Sequence, residues 1–479
     1  MTRATPDPLP HAAGPGGPVP DAAASPSAPE LAARAAAILS RLVRLPTVAG
    51  PDGAPADPAV FDEHVRAIEE SFPLLAAACE RTTIGHHAQL WRWPGTVSRT
   101  ARPVAQTPPP AVVLMAHQDV VPAPPGDGWS RDPFSGSIVD SRVHGRGTLD
   151  DKGDLVCTLL AAETMLELGE RPRPDVYFFL GDNEETAGSS ARSAVDELRR
   201  RGVSPRFVLD EGGAVVHGAF PGVRRPQAML GLGEKGLLSV RLTVRSDGGH
   251  ASAPPRLGAV DRIARALTRL HRRPFPARLT PVTRALLRHL ALRSTPAMRL
   301  ALTIATNAGP AGASLLAAMG GEPAALVRTT IAATRLEGSA ANNVLAAQAS
   351  AVLNLRLAPW DSVDAALGRL RRVIADRAVE IVPLESNEPS PVSDPDDPAL
   401  RLVAAALAAS HPNADLAPYI TLAATDARRF HAIADNVYRF SPLDMDPDER
   451  ARIHGVDESV SVGALGRGVV FYRELLGRA

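Results

Sequence analysis

Apolar positions along this chain fall into three patterns. The first is the continuous run. Ala111 to Ala116 is apolar at every position, and Val176-Tyr177-Phe178-Phe179-Leu180 and Phe207-Val208-Leu209 repeat it further on. Short runs without alternation fit strands buried on both faces, as in parallel sheets covered by helices. The second pattern has helical spacing. It runs from Glu30 until just before Pro46, and recurs over Phe61–Phe72 and residues 154–168, 188–201, 398–410 and 461–477. Strand, loop and helix therefore alternate, which predicts an α/β fold with a mainly parallel sheet.

The third pattern alternates strictly. Leu238, Val240, Leu242 and Val244 are separated by Ser239, Arg241 and Thr243, and Ala349, Ala351, Leu353, Leu355 and Leu357 behave likewise. These are half-exposed strands of an antiparallel sheet with one open face. Helices are expected at 256–271 and 361–377, and 272–330 is mostly helical in pattern. The expected division is a disordered leader over 1–28, a main domain over 29–236, a smaller inserted α+β domain over 237–358, and the main domain resumed over 359–479. The leader is Pro, Ala, Gly and Ser with almost no large apolar residue. Residues 94–110 read as a connecting loop.

Charge and cysteine content narrow the class. Lys plus Arg and Asp plus Glu both total 52, so nothing points to nucleic acid or to an anionic membrane. No run is long and apolar enough to span a bilayer, and no signal pattern opens the chain. Two cysteines, Cys79 and Cys157, make no disulfide framework, and the cytoplasm is the expected location. Cys157 falls in an apolar helix and reads as a small buried hydrophobe. Only Lys152 and Lys235 carry an ε-amine, against many arginines. Both stand before Gly and after an acidic residue, where a compact ammonium could be needed.

The candidate chemistry sits at the carboxyl ends of the buried runs, where open α/β sheets place ligands. His117 and Asp119 follow the first run, and Asp119 can take the imidazole proton on the side away from a metal. Asp150 opens the next helix, Glu184-Glu185 follow the second run, and Asp210 ends the third. A late segment, Arg452-Ile453-His454-Gly455-Val456-Asp457-Glu458, adds another histidine. Singly, each reads as a solvated loop residue or a satisfied histidine. Together, in strand-end loops, they match what a two-metal hydrolase requires: a shared carboxylate, separate His and carboxylate ligands, and one unligated carboxylate as base.

The segments LMAHQDVVP, WSRDPFSG, HGRGTLDDKG, GDNEETAGS, VLDEGG, EKG, GGHASAPP and RIHGVDES together resemble the di-zinc metallopeptidase and amidohydrolase family. That family includes acetylornithine deacetylase, succinyl-diaminopimelate desuccinylase, carboxypeptidase G and aminoacylase-1. The likeness is greatest to the branch of carboxypeptidase S and N-fatty-acyl-amino-acid hydrolase, and it covers nearly everything after the leader. The resemblance implies two zinc ions per subunit, with Co²⁺ or Mn²⁺ as alternatives. It implies His117 and Asp210 on one zinc, Asp150 bridging, Glu185 and His454 on the second, Asp119 supporting His117, and Glu184 as general base. It further implies that His250, in an inserted lid or dimerisation domain, stabilises the tetrahedral intermediate, and that Asn343 and Arg428 contact the substrate. Arg356 is a further candidate. In dimeric relatives the partner subunit supplies that histidine, which leaves a homodimer open here.

The implied activity is hydrolysis of an amide bond next to a free carboxylate, on a small substrate such as an N-acyl amino acid or peptide. The 272–330 insertion would lengthen the inserted domain and could shape a larger acyl pocket. Two rivals are weighed against it. A ligand-binding homologue without catalysis fits poorly with an intact Glu184. A Ser or Cys hydrolase fits poorly too, because no Gly-x-Ser-x-Gly elbow is present.

Overall fold

The computed structural model describes residues 26–50, 53–97, 110–124 and 126–479. All but the last three residues of the expected leader lie outside the described residues, as does most of the 94–110 connection. The first described helix, Ala28–Val43, is capped at once: Glu30 Oε2 accepts from the Ser27 amide at 2.7 Å and its hydroxyl at 2.9 Å.

The main domain is built on a ten-stranded sheet. Its centre is parallel: Val112–His117 lies between Val176–Gly181 and Phe207–Asp210, and Val437–Arg439 continues beside the latter. Every residue of the first two strands is buried. Lys152–Glu167 packs on one face with Ala28–Val43 and the final helix Val462–Arg478; Ser190–Arg200 covers the other. Two covered faces are why these strands carry no polar alternation. The register pairs His117 with Gly181 and Arg439 with Asp210, so the carboxyl ends of the strands finish close together.

The second sheet is antiparallel, in the order Thr330–Glu337, Gln348–Leu357, Gly236–Arg245, Glu380–Asn387. Helices Ala259–Arg272 and Val363–Ile374 cover one face through Ile263, Leu367, Leu370 and Ile374. The inserted unit therefore extends beyond the expected boundary at 358. Its fourth strand pairs Leu242 with Ile381 and ends at Asn387, and the main domain resumes after it.

The helical stretch also departs from expectation. It does not lengthen the inserted domain. Pro281–Arg293 crosses to the main domain, where Val282, Leu286 and Leu290 join the core that holds Leu230 and Ala417. The three helices that follow, Pro296–Asn307, Pro310–Ala318 and Gly321–Val327, form a small cluster around Ala313, Leu316 and Val327.

Both lysines are buried at helix ends. Lys152 Nζ donates to the carbonyls of Leu42 and Leu45, at 3.0 and 2.7 Å, at the end of the first helix. Lys235 Nζ donates to Ala325 and Arg328, both at 2.9 Å, at the end of the last helix of the excursion. Free carbonyls at helix ends attract cations. The compact ammonium suits a site with two converging carbonyls.

Candidate metal centre and active site

His117 ends its strand with Nε2 2.9 Å from Asp150 Oδ1. Its Nδ1 lies 2.9 Å from the carbonyl oxygen of Asp119 and 3.4 Å from that residue's carboxylate. The main-chain oxygen thus orients the ring. The Asp119 carboxylate accepts from the Glu184 and Glu185 amides, each at 3.1 Å, and so positions the turn Glu184–Thr186. On the far side of Asp150, His454 Nε2 lies 3.1 Å from Oδ2 and 3.1 Å from Glu185 Oε1. Asp150 therefore stands between two imidazoles, one oxygen toward each. Donor atoms of His117, Asp150 and Glu185 all lie within 4.8 Å of one another.

The loops carrying Asp150 and His454 are tied together by a buried ion pair. Arg146 Nη1 meets Glu458 Oε2 at 2.7 Å, and Arg146 Nη2 donates to the His454 carbonyl at 3.2 Å. Glu458 also accepts from the Gly147 and Leu149 amides, at 3.2 and 2.8 Å. Sequence reasoning missed this pair, although Glu458 lies in the same segment as His454. Breaking a buried pair leaves an uncompensated charge and costs roughly 3–5 kcal/mol. Glu458→Ala is expected to lose that much in urea unfolding and to weaken metal binding in titrations. A wild-type midpoint would overturn this role.

The electrostatics fit a cation. Seven carboxyl groups here, Asp151, Asp154, Glu184, Glu185, Asp210, Glu211 and Asp426, have raised pKa values. Burial is the largest cause in each, and neighbouring carboxylates add to most of them. His454 is pushed up to about 10 by its bonds to Asp150 and Glu185. For His117 burial opposes the charged form, but Asp119 and Asp150 outweigh it and hold the pKa well above the usual histidine range. So much buried negative charge, with Nε2 of both imidazoles aimed at a shared carboxylate, is a site made for positive charge.

Asp210 and its neighbour Glu211 sit in different surroundings. Asp210 Oδ2 accepts from the Ala427 amide at 2.9 Å, whereas on Glu211 burial and then the Asp150 charge raise the pKa. Both Asp150 and Glu211 line the large cleft beside the site. The strand ends at Asp210, and Gly212 turns the chain at φ 104°. Alternation along the strand could not say which of the two acids faces the donors. Glu211→Gln should therefore lower metal affinity more than Asp210→Asn, whose effect should be the 10–100-fold of a supporting group. The reverse order in metal titrations would restore Asp210 as ligand.

His250 and Asn343 come together outside this cluster. Gly249–His250 pairs with Val344–Leu345 in the inserted domain, and Ala251 N donates to the Asn343 carbonyl at 3.1 Å. His250 is exposed, with Nδ1 2.8 Å from Ser252 Oγ. Arg428 is turned toward the junction of the two domains. It donates to the Glu388 carbonyl, and Nη1 is 3.9 Å from Glu234. Arg356 lies near enough to contribute to the depressed pKa of Arg428, for which burial is the main cause. His144 is half-buried in the strand Arg142–His144.

A parallel sheet with His, Asp and paired Glu at its strand ends, plus an inserted antiparallel domain, defines a metal-dependent amide hydrolase. The model of "Peptidase family M20/M25/M40" matches residues 113–478, and the chain belongs to that family. It is 35% identical over 375 residues to human N-fatty-acyl-amino acid synthase/hydrolase PM20D1, covering 77% of this chain and 74% of that one. It is 30% identical over 412 residues to the probable carboxypeptidase S-like 2 of Dictyostelium discoideum, covering 85% and 77%. Among solved structures, the M20 family metallo-carboxypeptidase Sso-CP2 of Sulfolobus solfataricus superposes with a TM-score of 0.67 at 18% identity, covering 92% of this chain and 98% of that one. Human carnosine dipeptidase 1 gives 0.62 at 16%, covering 93% and 96%.

Proposed function

We propose that the chain is a zinc enzyme that hydrolyses N-acyl amino acids carrying a long aliphatic acyl group. The observation that carries the acyl preference is a cavity of about 410 Å³ beside Asp150 and Glu211. Its walls include Val216, Phe220, Met229, Leu286, Leu326 and Met445, which suit a hydrocarbon chain. The relatives named N-fatty-acyl-amino acid synthase/hydrolase support the same reading.

His117, Asp150 and Glu211 would hold one ion, and Asp150, Glu185 and His454 the other. Bound zinc would lower the pKa of water and polarise the scissile carbonyl. The residues do the rest. Glu184 takes a proton from the attacking water as oxygen adds to the carbonyl carbon. It passes that proton to the nitrogen as the C–N bond breaks, releasing a carboxylic acid and an amino acid. His250 would reach the oxyanion only when the inserted domain closes or a partner subunit delivers it. Asn343 and Arg428 are the proposed contacts of the substrate carboxylate. The unpaired Cys79 and Cys157 are in keeping with a reducing location such as the cytoplasm.

An acyl-length series tests this. Each buried methylene is worth about 0.8 kcal/mol, or roughly fourfold, so kcat/KM should climb from acetyl toward long acyl chains. Leu286→Trp should flatten the climb while sparing the acetyl substrate. A flat series, or dipeptides preferred throughout, overturns the acyl reading and favours a dipeptidase.

A further inference from the structure

The neutral total hides a local imbalance. From Arg278 to Arg328 the chain carries six arginines against one acidic residue, Glu322, while the whole chain carries 52 of each sign. This is the helical excursion. Its inward face is satisfied: Val282, Leu286 and Leu290 enter the main core, and Ala313, Leu316 and Ala317 close the small one. Its outward residues include large apolar side chains among the arginines. Leu292, Leu300, Ile304, Leu315 and Met319 are 56–69% exposed, and they are five of the fourteen large apolar residues exposed among the described residues.

Position sharpens the pattern. Leu300 and Ile304 are one turn apart on Pro296–Asn307, as are Leu315 on Pro310–Ala318 and Met319 at its C-cap, and these two helices pack together. Arg299 donates to the Ala291 and Leu292 carbonyls, at 3.2 and 3.3 Å, which fixes a cation beside exposed Leu292. Arg293 pairs with Asp415 at 3.0 Å; Arg278 and Arg288 are exposed. Exposed apolar residues on an excursion this rich in arginine have two candidate occupants. A second copy would set one arginine-rich face against another, and like charges oppose that docking. An anionic lipid surface offers hydrocarbon for the leucines and phosphate for the guanidinium groups. No described helix is long and apolar enough to cross a membrane.

We propose that this excursion docks the enzyme on an anionic lipid surface, with Leu300, Ile304, Leu315 and Met319 seated among the acyl chains and the arginines on the headgroups. The same excursion lends Leu286 and Leu326 to the cavity beside the metal donors. An amphiphilic substrate leaving the surface would thus meet the cleft at once. That last consequence rests on the acyl-chain reading; the docking surface does not.

The test is co-sedimentation of the whole protein with vesicles of phosphatidylcholine alone or with phosphatidylglycerol. Binding is expected to the anionic vesicles and to fall as salt rises. The double variant Leu300→Glu, Met319→Glu should lose it at least tenfold. Arg278→Gln and Arg288→Gln should each weaken it about fivefold, from ~1 kcal/mol per basic residue near the surface. All variants should keep the wild-type melting temperature and wild-type hydrolysis of a short, soluble acetyl substrate. No binding to either vesicle, or binding indifferent to these changes, overturns the proposal. So does a dimer in sedimentation velocity that Leu300→Glu dissolves while vesicles stay unbound. Vesicle binding with a flat acyl-length series would sink the acyl reading alone.

Discussion

Glu184→Gln is expected to keep the fold and the metals and to lose turnover by about 10²–10⁴-fold, the usual contribution of a positioned proton carrier. The turn that carries Glu184 is anchored by its main chain, through Asp119, so the side chain can change without releasing the backbone. Glu185, beside it, approaches His454, whereas Glu184 faces Glu211 and Asp426 electrostatically. Burial first, then those two acids, raise its pKa against the opposing pull of His117. A base raised in this way holds a proton more firmly than an ordinary glutamate, which suits a group that must carry it from water to nitrogen. Glutamine preserves the volume and removes only the proton transfer. The check is steady-state kinetics on an N-acyl amino acid alongside metal analysis. A kcat within a fewfold of wild type would remove Glu184 from the reaction.

Asp150→Ala is expected to empty both metal positions together. Its two oxygens lie 2.9 Å from His117 Nε2 and 3.1 Å from His454 Nε2, so its loss frees both imidazoles at once. Removing a group that orients a ligand costs 10–100-fold in affinity; removing a donor shared by two ions should exceed that at each. Inductively coupled plasma mass spectrometry after dialysis reads the outcome. One ion retained at full occupancy would make Asp150 a ligand of a single site. The variant should also respond less to added chelator in thermal melts, because fewer bound ions remain to be withdrawn.

The sheet and most of the site were legible for one reason: both report through local pattern. Val112–His117 and Val176–Gly181 are buried on two faces, which leaves runs that nothing but a covered strand explains. His117, Asp150, Glu185 and His454 then meet because strand register and loop placement bring them together. Where pattern falls silent, expectation failed. Glu380–Asn387 is a largely exposed edge strand with Pro383 inside it, so its alternation never appears. Pro281–Arg293 announces an apolar face but not the surface that receives it, and that surface proved to be the main domain. Asp210 and Glu211 are adjacent where a strand becomes a turn, and only the geometry separates an acid tied to Ala427 from one beside Asp150.

The two lysines have one more consequence. Each is buried and engaged at a helix end, so the folded protein presents no lysine ε-amine to solvent. Amine-directed reagents should therefore label the side chains only when one of those helix ends comes loose. Adduct at Lys152 would time the release of the first helix, and adduct at Lys235 the detachment of the arginine-rich excursion. Peptide mass mapping would thus resolve two separate opening events in the unaltered chain, with no probe engineered into it.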